Sequence, residues 1–387
     1  MPEPTRCAHV AMLVRNPFTH DTRVEKEART LIAAGYRVTV VADAAAGLPD
    51  RESRDGIDVR RIARSGPPIP GLRYVVHEAR LARVLRALRA DVYHAHDSNT
   101  LIAVAWAARA GGVPFVYDAH DLWLGRPRRE RSRAYFALSQ ALYTLVERWL
   151  VPRAAAGLTV SPPIARHLER RYRLRRMHLV PNYPELPGHR AREDLRSLPG
   201  GGTIAEGGPL VLYLGGLMAG RGLEQLVDAV GLVADAQLVM LGQGPLRPEL
   251  VRRAASLGAG DRLHLLPPVP PDGVVAYAAS ADIGVSPIVP SCLNYRYSLP
   301  NKLFQYMAAG IPVVASDFPQ VREVVESAGC GVVVDTSRPS EIARAIERIA
   351  ADPVEARAMG GRGRAAVDDR YNWDSAGQAL LEVYRGL

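Results

Sequence analysis

Lysine is nearly absent from this chain: of 49 cationic residues only Lys26 and Lys302 are lysines. Its three cysteines, Cys7, Cys292 and Cys330, have no metal-ligand spacing, and an odd, sparse count suits a reducing compartment rather than a disulfide framework. Aromatic residues make up 6% of the chain and are sparse among the arginines, which argues against a stacking platform for nucleic acid. No nucleic-acid partner is expected. Long apolar runs are missing too: "LIAVAWAA" (Leu101 to Ala108) falls far short of the ~20 residues that span a bilayer, and "MPEPTRCAHVAML" lacks a signal-peptide pattern. A cytoplasmic protein is expected. The first strand-to-helix junction, "VRNPFTHDTRV", contains no glycine, so the G-x-G-x-x-G fingerprint is absent there and a nicotinamide dehydrogenase is disfavoured.

What is present points to two cores. A chain of 387 residues exceeds what a single core normally accommodates. Residues 1–182 hold 30 Lys and Arg against 17 Asp and Glu, while the rest holds 19 against 23, so the net +9 belongs to the N-terminal half. Its densest clusters are "RPRRERSR" (Arg126 to Arg133) and "RHLERRYRLRR" (Arg166 to Arg176). Such patches attract anionic lipid or an acidic substrate, or are simply an arginine-biased surface. They raise the expectation of peripheral contact with an anionic membrane, at the inner face of the plasma membrane.

The apolar rhythm defines the organisation. In the first half "HVAMLVR", "YRVTVVAD", "DVYHAH", "PFVYDAH" and "AGLTVS" read as strands separated by helical stretches, and the second half repeats this with "PLVLYLGG", "AQLVMLG", "DIGVSP", "IPVVAS" and "CGVVVD". Near-continuous apolar strands alternating with helices mean parallel sheets covered on both faces, an α/β class. Between them lies "PNYPELPGHRAREDLRSLPGGGTIAEGGP" (Pro181 to Pro209), rich in Pro and Gly. The expected division is 1–182, a linker at 183–208, and 209–369.

Ligands of doubly wound sheets sit beyond the carboxyl ends of the strands. At one such junction, "YLGGLMAGRGLEQLV", Gly215 and Gly216 allow close approach to a phosphate and Arg221 can grip its oxygens. "LGQGPLRPEL" repeats the arrangement with Gly242 and Gly244. After "DIGVSP" a loop reaches "SLPNKLFQYM", where Ser298, Leu299, Pro300, Asn301, Lys302 and Leu303 enter a helix. A cation in a first turn opposes the helix macrodipole, and a bound anion removes the conflict. Gln305 shares a face with Asn301 and can reach a sugar hydroxyl one turn deeper.

These segments, with "ASADIGVSP", "PNKLFQYMAAGIPVVAS", "YNWDSAGQALLEVY" and the N-terminal "DTRVEKEARTLIAAGYRVTVV", "DVYHAHD" and "VYDAHDLW", together resemble glycosyltransferase family 4. The resemblance spans nearly the whole chain. It implies the GT-B fold, two Rossmann-like doubly wound parallel-sheet domains facing a central cleft. The N-terminal domain would bind the acceptor, the C-terminal domain a nucleotide-sugar donor, and a last helix, 370–387, would pack back on the N-terminal domain. It also implies transfer to an acceptor hydroxyl with retention, by front-face attack, without a cofactor or a metal. Polysaccharide, glycolipid or secondary-metabolite synthesis would use it, and the acceptor would be a small molecule or lipid-linked.

By resemblance His120 contacts the transferred sugar, while Arg221 and Lys302 neutralise the leaving diphosphate. The donor is held by Gly215, Gly216, Gly242, Gly244, the stretch from Ser298 through Leu299, Pro300 and Asn301 to Leu303, and Gln305. Asp118 and Asp121 are expected to cap and orient the loop around His120. Acceptor-side candidates are His20, Asp21, His96 and Asp97. Two positions depart from the pattern: Gly216 replaces an arginine, and Gln305 replaces the glutamate that ordinarily holds the donor ribose. A catalytically impaired nucleotide-sugar-binding partner of the same fold is therefore the alternative. A nucleotide-sugar epimerase would need converging carboxylates and histidines at the donor, which the motifs do not supply.

Overall fold

The computed structural model describes residues 7–64, 66–67, 69–126, 132–186 and 192–387. Residues 127–131 of the first basic cluster and 187–191 of the expected linker lie outside them. The chain divides into two compact units, Met1–Pro181 with Ala376–Leu387, and Asn182–Ser375.

In the first unit β1 (His9–Leu13) leads through α1 (Thr22–Ala33) to β2 (Arg37–Asp43), then to a hairpin of β3 (Arg51–Arg54) and β4 (Ile57–Ile62). There follow α2 (Pro70–Ala87), β5 (Val92–His96), α3 (Leu101–Gly111), β6 (Phe115–Ala119), α4 (Arg133–Leu150), β7 (Ala156–Thr159), α5 (Pro162–Tyr172) and β8 (Met177–Leu179). The sheet order is β3-β4-β2-β1-β5-β6-β7-β8, parallel except for the β3–β4 pair. β1, β5 and β6 are buried at every position, as strands covered on both faces must be. The order reverses between β1 and β5, so the crevice of this sheet opens beyond Leu13 and His96.

The second unit runs β9 (Leu210–Leu214), α6 (Leu223–Leu232), β10 (Gln237–Leu241), α7 (Arg247–Ser256), β11 (Leu263–Leu266), α8 (Val274–Ala278), β12 (Ile283–Ser286) and α9 (Leu293–Tyr297). It continues with α10 (Asn301–Ala309), β13 (Val313–Ser316), α11 (Pro319–Ala328), β14 (Gly331–Val334), α12 (Pro339–Ala350) and α13 (Pro353–Asp369). Its all-parallel sheet has the order β11-β10-β9-β12-β13-β14, with the reversal between β9 and β12. Strand alternation sends Leu212 and Leu214 of β9 into one core layer with Phe304 and Met307, and Val211 and Tyr213 into the opposite layer with Leu226 and Ile346.

The Pro- and Gly-rich stretch is built into the second unit along its described part. Leu195 and Ile204 are buried in that core, and the Leu195 N–H donates to Ser280 Oγ at 3.1 Å. Tyr371 packs there against Tyr183 and Phe304. The final helix, α14 (Trp373–Arg385), runs into the first unit from Ala376. Its Tyr384 hydroxyl shares a 2.8 Å hydrogen bond with His94 Nδ1, and its ring meets Tyr36 edge-on at 5.7 Å. No helix among the described residues is long and apolar enough to cross a membrane.

Candidate active site

At the reversal in the second unit, β9 and β12 pair at Val211–Ile283 and Leu212–Gly284 and then separate. The Tyr306 hydroxyl fills the opening: it accepts from the Leu214 N–H at 2.9 Å and donates to the Val285 carbonyl at 3.1 Å. Two backbone groups that would otherwise be orphaned are satisfied, which fixes α10 against the sheet. Lys302 lies one helical turn before Tyr306 on the same face.

That anchoring holds the Lys302 ammonium over the Tyr213 ring, 4.3 Å from its centroid, and against Gly215, where an added Cβ would stand 3.8 Å from Nζ. Lys302 is only 6% exposed, and no carboxylate pairs with it among the described residues. Burial pushes its ammonium well below the usual lysine range, and the nearby Arg221 guanidinium adds to the effect. Arg221 itself lies over the Tyr295 ring at 5.5 Å. A buried cation without a counter-ion is costly unless an anion completes it. Pro300 occupies the cap of α10 and offers no side-chain hydrogen bond, so the first-turn amides are also left without a side-chain cap. Cations, uncapped amides and a strand-end glycine thus converge, an arrangement that favours an anion.

The other expected donor residues divide. Asn301 is exposed and Gln305 half-buried, and neither side chain makes a hydrogen bond among the described residues. Ser298 turns its hydroxyl to the Tyr295 carbonyl at 2.8 Å. Leu303 is fully buried, so only its backbone can face a ligand, and Leu299 packs on the same core. A Cβ on Gly242 would stand 2.1 Å from the Gly215 carbonyl oxygen, and one on Gly244 2.2 Å from that of Leu217. These two glycines let adjacent junctions press together. Gly216 accepts the Tyr213 hydroxyl at 3.1 Å.

In the first unit, His120 directly follows β6. Its Nε2 stands 3.2 Å from Asp118 Oδ2 and shares a 3.0 Å hydrogen bond with His96 Nδ1, while its N–H donates to Asp97 at 3.0 Å. Arg23 grips Asp118 with both Nε (3.1 Å) and Nη2 (2.8 Å) and reaches Glu27 at 3.0 Å. Burial alone would lower the His120 pKa, but the Asp118 carboxylate outweighs it and raises it to about 9. Burial would likewise raise Asp118, yet Arg23 and His120 hold it well below the usual carboxylate range. Burial pushes Glu27 up to about 8 against the pull of Arg23. These shifts favour the charged form of His120 and the protonated form of Glu27.

Asp118 and Asp121, expected to cap and orient the loop around His120, lie on either side of it: Asp118 holds His120 itself and is the buried counter-ion of Arg23, and Asp121 pairs with Arg126 at 2.9 Å. Arg126 also binds Asp97 at 3.0 Å and stacks on Trp123 at 4.1 Å. Asp21 caps α1, accepting the Val24 N–H at 3.3 Å, and binds Asn16 at 2.7 Å; His20 is exposed beside it. Glu27, His94, His96 and Asp118 each offer a ligand atom within 4.8 Å of the others, a set a metal ion could use. Arg23 competes for both carboxylates, so a cation already occupies the charge of that group.

A family model for the glycosyl transferase 4-like domain matches residues 20–183, and one for glycosyl transferases group 1 matches residues 208–352. The chain belongs to the family 4-like glycosyltransferases. This glycosyltransferase is 28% identical over 393 residues to a 2-deoxystreptamine glucosyltransferase of Streptomyces kanamyceticus, covering 94% of this chain and 98% of that one. It is 29% identical over 403 residues to a D-inositol 3-phosphate glycosyltransferase of Acidothermus cellulolyticus, covering 94% and 84%. Sucrose-phosphate synthase from Thermosynechococcus elongatus superposes with a TM-score of 0.80 at 21% identity over 98% of both chains. Anabaena HepE, in complex with UDP and glucose, superposes with a TM-score of 0.74 at 16% identity over 98% of this chain and 100% of its own. The fold of this glycosyltransferase is GT-B.

Several of these residues, in each unit, escaped the sequence reading. Arg23 and Glu27 sit on the buried face of α1 with Val24, Ala28 and Leu31, and two charges on a buried stripe require partners. That was the available signal. Tyr306 left a weaker one in Gly284 of β12, where an added Cβ would stand 2.3 Å from the Tyr306 ring.

Proposed function

We propose that this glycosyltransferase takes its sugar from a nucleotide-sugar donor and transfers it to an acceptor hydroxyl with retention of configuration, without a metal. The observation that carries this is Lys302, a buried ammonium with no carboxylate partner among the described residues, beside Gly215 at the reversal point of the second sheet. Cleavage of the sugar–phosphate bond builds negative charge on the departing diphosphate. Lys302, Arg221 and the first-turn amides of α10 would meet that charge, stabilising the transition state more than the bound donor. Gln305 would contact the ribose with an amide where a carboxylate is more usual. His120, held as an imidazolium by Asp118, would hydrogen-bond the transferred sugar. The acceptor is a small molecule or is lipid-linked, and the arginine excess of residues 1–182 favours peripheral contact with an anionic membrane.

The test is a thermal-shift screen of UDP-, GDP- and dTDP-sugars followed by assay of nucleotide release. A donor that binds the folded state raises its melting temperature, and release with that donor is expected. Binding without release under any acceptor would favour the impaired, binding-only form of the reading.

A further inference from the structure

The outward face of α4 is apolar along its whole length. Leu138, Leu142, Leu145 and Trp149 recur at intervals of four, three and four residues, forming one stripe, and Leu138 is 71%, Leu145 56% and Trp149 58% exposed. Tyr135 extends the stripe at its N-terminal end, 51% exposed. At 1.5 Å per residue it runs about 21 Å from Tyr135 to Trp149. Exposed apolar side chains scattered singly need no explanation, but a continuous row does.

The charges around this row have one sign. Glu147, the acid of α4, is turned inward, where it is bonded to Ser98 and Tyr172. The exposed charges of the helix are Arg133 and Arg148, and neither pairs with a carboxylate among the described residues. Arg153, just past its end, stacks on Trp149 at 5.4 Å. We infer that the outward face of α4 is a docking surface that lies in the headgroup region of an anionic lipid bilayer. This rests on the peripheral membrane contact proposed above and names the surface that makes it.

Two features choose the bilayer over a second copy of the chain. In a symmetric dimer the same face meets itself, so Arg133 and Arg148 would confront only each other's cations in either orientation. The positions beside the stripe, Ala134, Ala137, Ser139, Ala141 and Thr144, also lack the mixed charges that set register in a helix pair. An interface rich in anionic headgroups answers both: the leucines enter the acyl boundary, Tyr135 and Trp149 sit at headgroup level, and the arginines reach phosphate.

Co-sedimentation with vesicles tests this, using phosphatidylcholine alone and an equal mixture with phosphatidylglycerol. The wild-type chain is expected to bind the anionic vesicles at low salt, and Leu138→Glu/Leu145→Glu to reduce that binding at least ~10-fold. The double variant should keep wild-type nucleotide release in vesicle-free buffer and an unchanged thermal melt. In the wild-type protein, anionic vesicles should shift tryptophan emission to the blue, and Trp149→Phe should remove the shift. If Arg170→Glu/Arg171→Glu abolishes binding while the leucine variant binds normally, the charge-based contact stands and the α4 surface is overturned. Failure of the wild-type chain to bind overturns both. A concentration-dependent dimer that the leucine variant dissolves overturns the bilayer as occupant.

Discussion

The Tyr306 hydroxyl accepts the backbone N–H of Leu214 at 2.9 Å, and in doing so ties the helix that carries Lys302 to the strand that leads into Gly215. Tyr306→Phe strands this N–H and the Val285 carbonyl in the gap between β9 and β12. Each unsatisfied buried group costs about 1–3 kcal/mol, so urea unfolding should show a loss of about 2–6 kcal/mol. Turnover should fall as well, because the ammonium one turn earlier loses its support.

Lys302→Met keeps the length of the side chain and removes its buried charge. The variant is expected to melt at a higher temperature than the wild type while losing turnover at least ~100-fold, a stability–activity trade-off of the kind seen at preorganised sites. Arg221→Ala should lose turnover comparably without the gain in stability. Full-rate nucleotide release by either variant would remove these residues from the chemistry.

Burial and Arg221 depress the Lys302 pKa in the free enzyme, and a bound diphosphate would raise it again. Donor binding should therefore take up a proton wherever the free amine is neutral, and affinity should decline as pH rises. Calorimetry in two buffers of different ionisation enthalpy reads this directly. Equal apparent enthalpies in the two buffers would mean that Lys302 is already charged before the anion arrives.

Asp118→Asn removes the partner that Arg23 and His120 share. Breaking a buried ion pair costs about 3–5 kcal/mol, less whatever Glu27, 3.0 Å from Arg23, recovers by ionising, and denaturant unfolding measures the loss. The His120 titration, followed by NMR, should drop from about 9, since burial is then opposed by Asp97 alone. In the wild type the pairing stabilises the fold fully below pH 6.5, and this contribution is lost as pH rises through about 9.

Glu27 gives the opposite trend. Its folded pKa of about 8 lies above the ordinary 4.5, so the folded state binds the extra proton and loses stability as pH rises between these values. Glu27→Gln lacks that loss. Its melting temperature should approach that of wild type near pH 5, gain on it steadily up to about pH 8, and stay ahead by a constant margin above. A constant difference across the whole range would place the Glu27 pKa near its ordinary value.

The architecture was legible because parallel strands covered on both faces leave continuous apolar runs such as "PLVLYLGG", and such runs can be counted. Lys302 was legible because a cation in a first helical turn conflicts with the macrodipole and raises a question by itself. Arg23, Glu27 and Asp118 were not read together because their pairing joins α1 to β6 across 95 residues, and no local rule connects them. Gly242 and Gly244 stand out in the sequence as positions of close approach, but sequence does not say what approaches them. The structure shows neighbouring backbone there, with the Gly215 and Leu217 carbonyl oxygens 2.1 and 2.2 Å from where a Cβ would stand.

The bond from Tyr384 to His94 joins residues 290 positions apart. Synthesis from the N-terminus makes the strands of the first unit well before the helix that packs on them, whereas the second unit is contiguous from Asn182 to Ser375. His94 and Tyr36 therefore meet Tyr384 only after the whole of the second unit has been made, so the half of the molecule that is begun first is expected to complete its packing last.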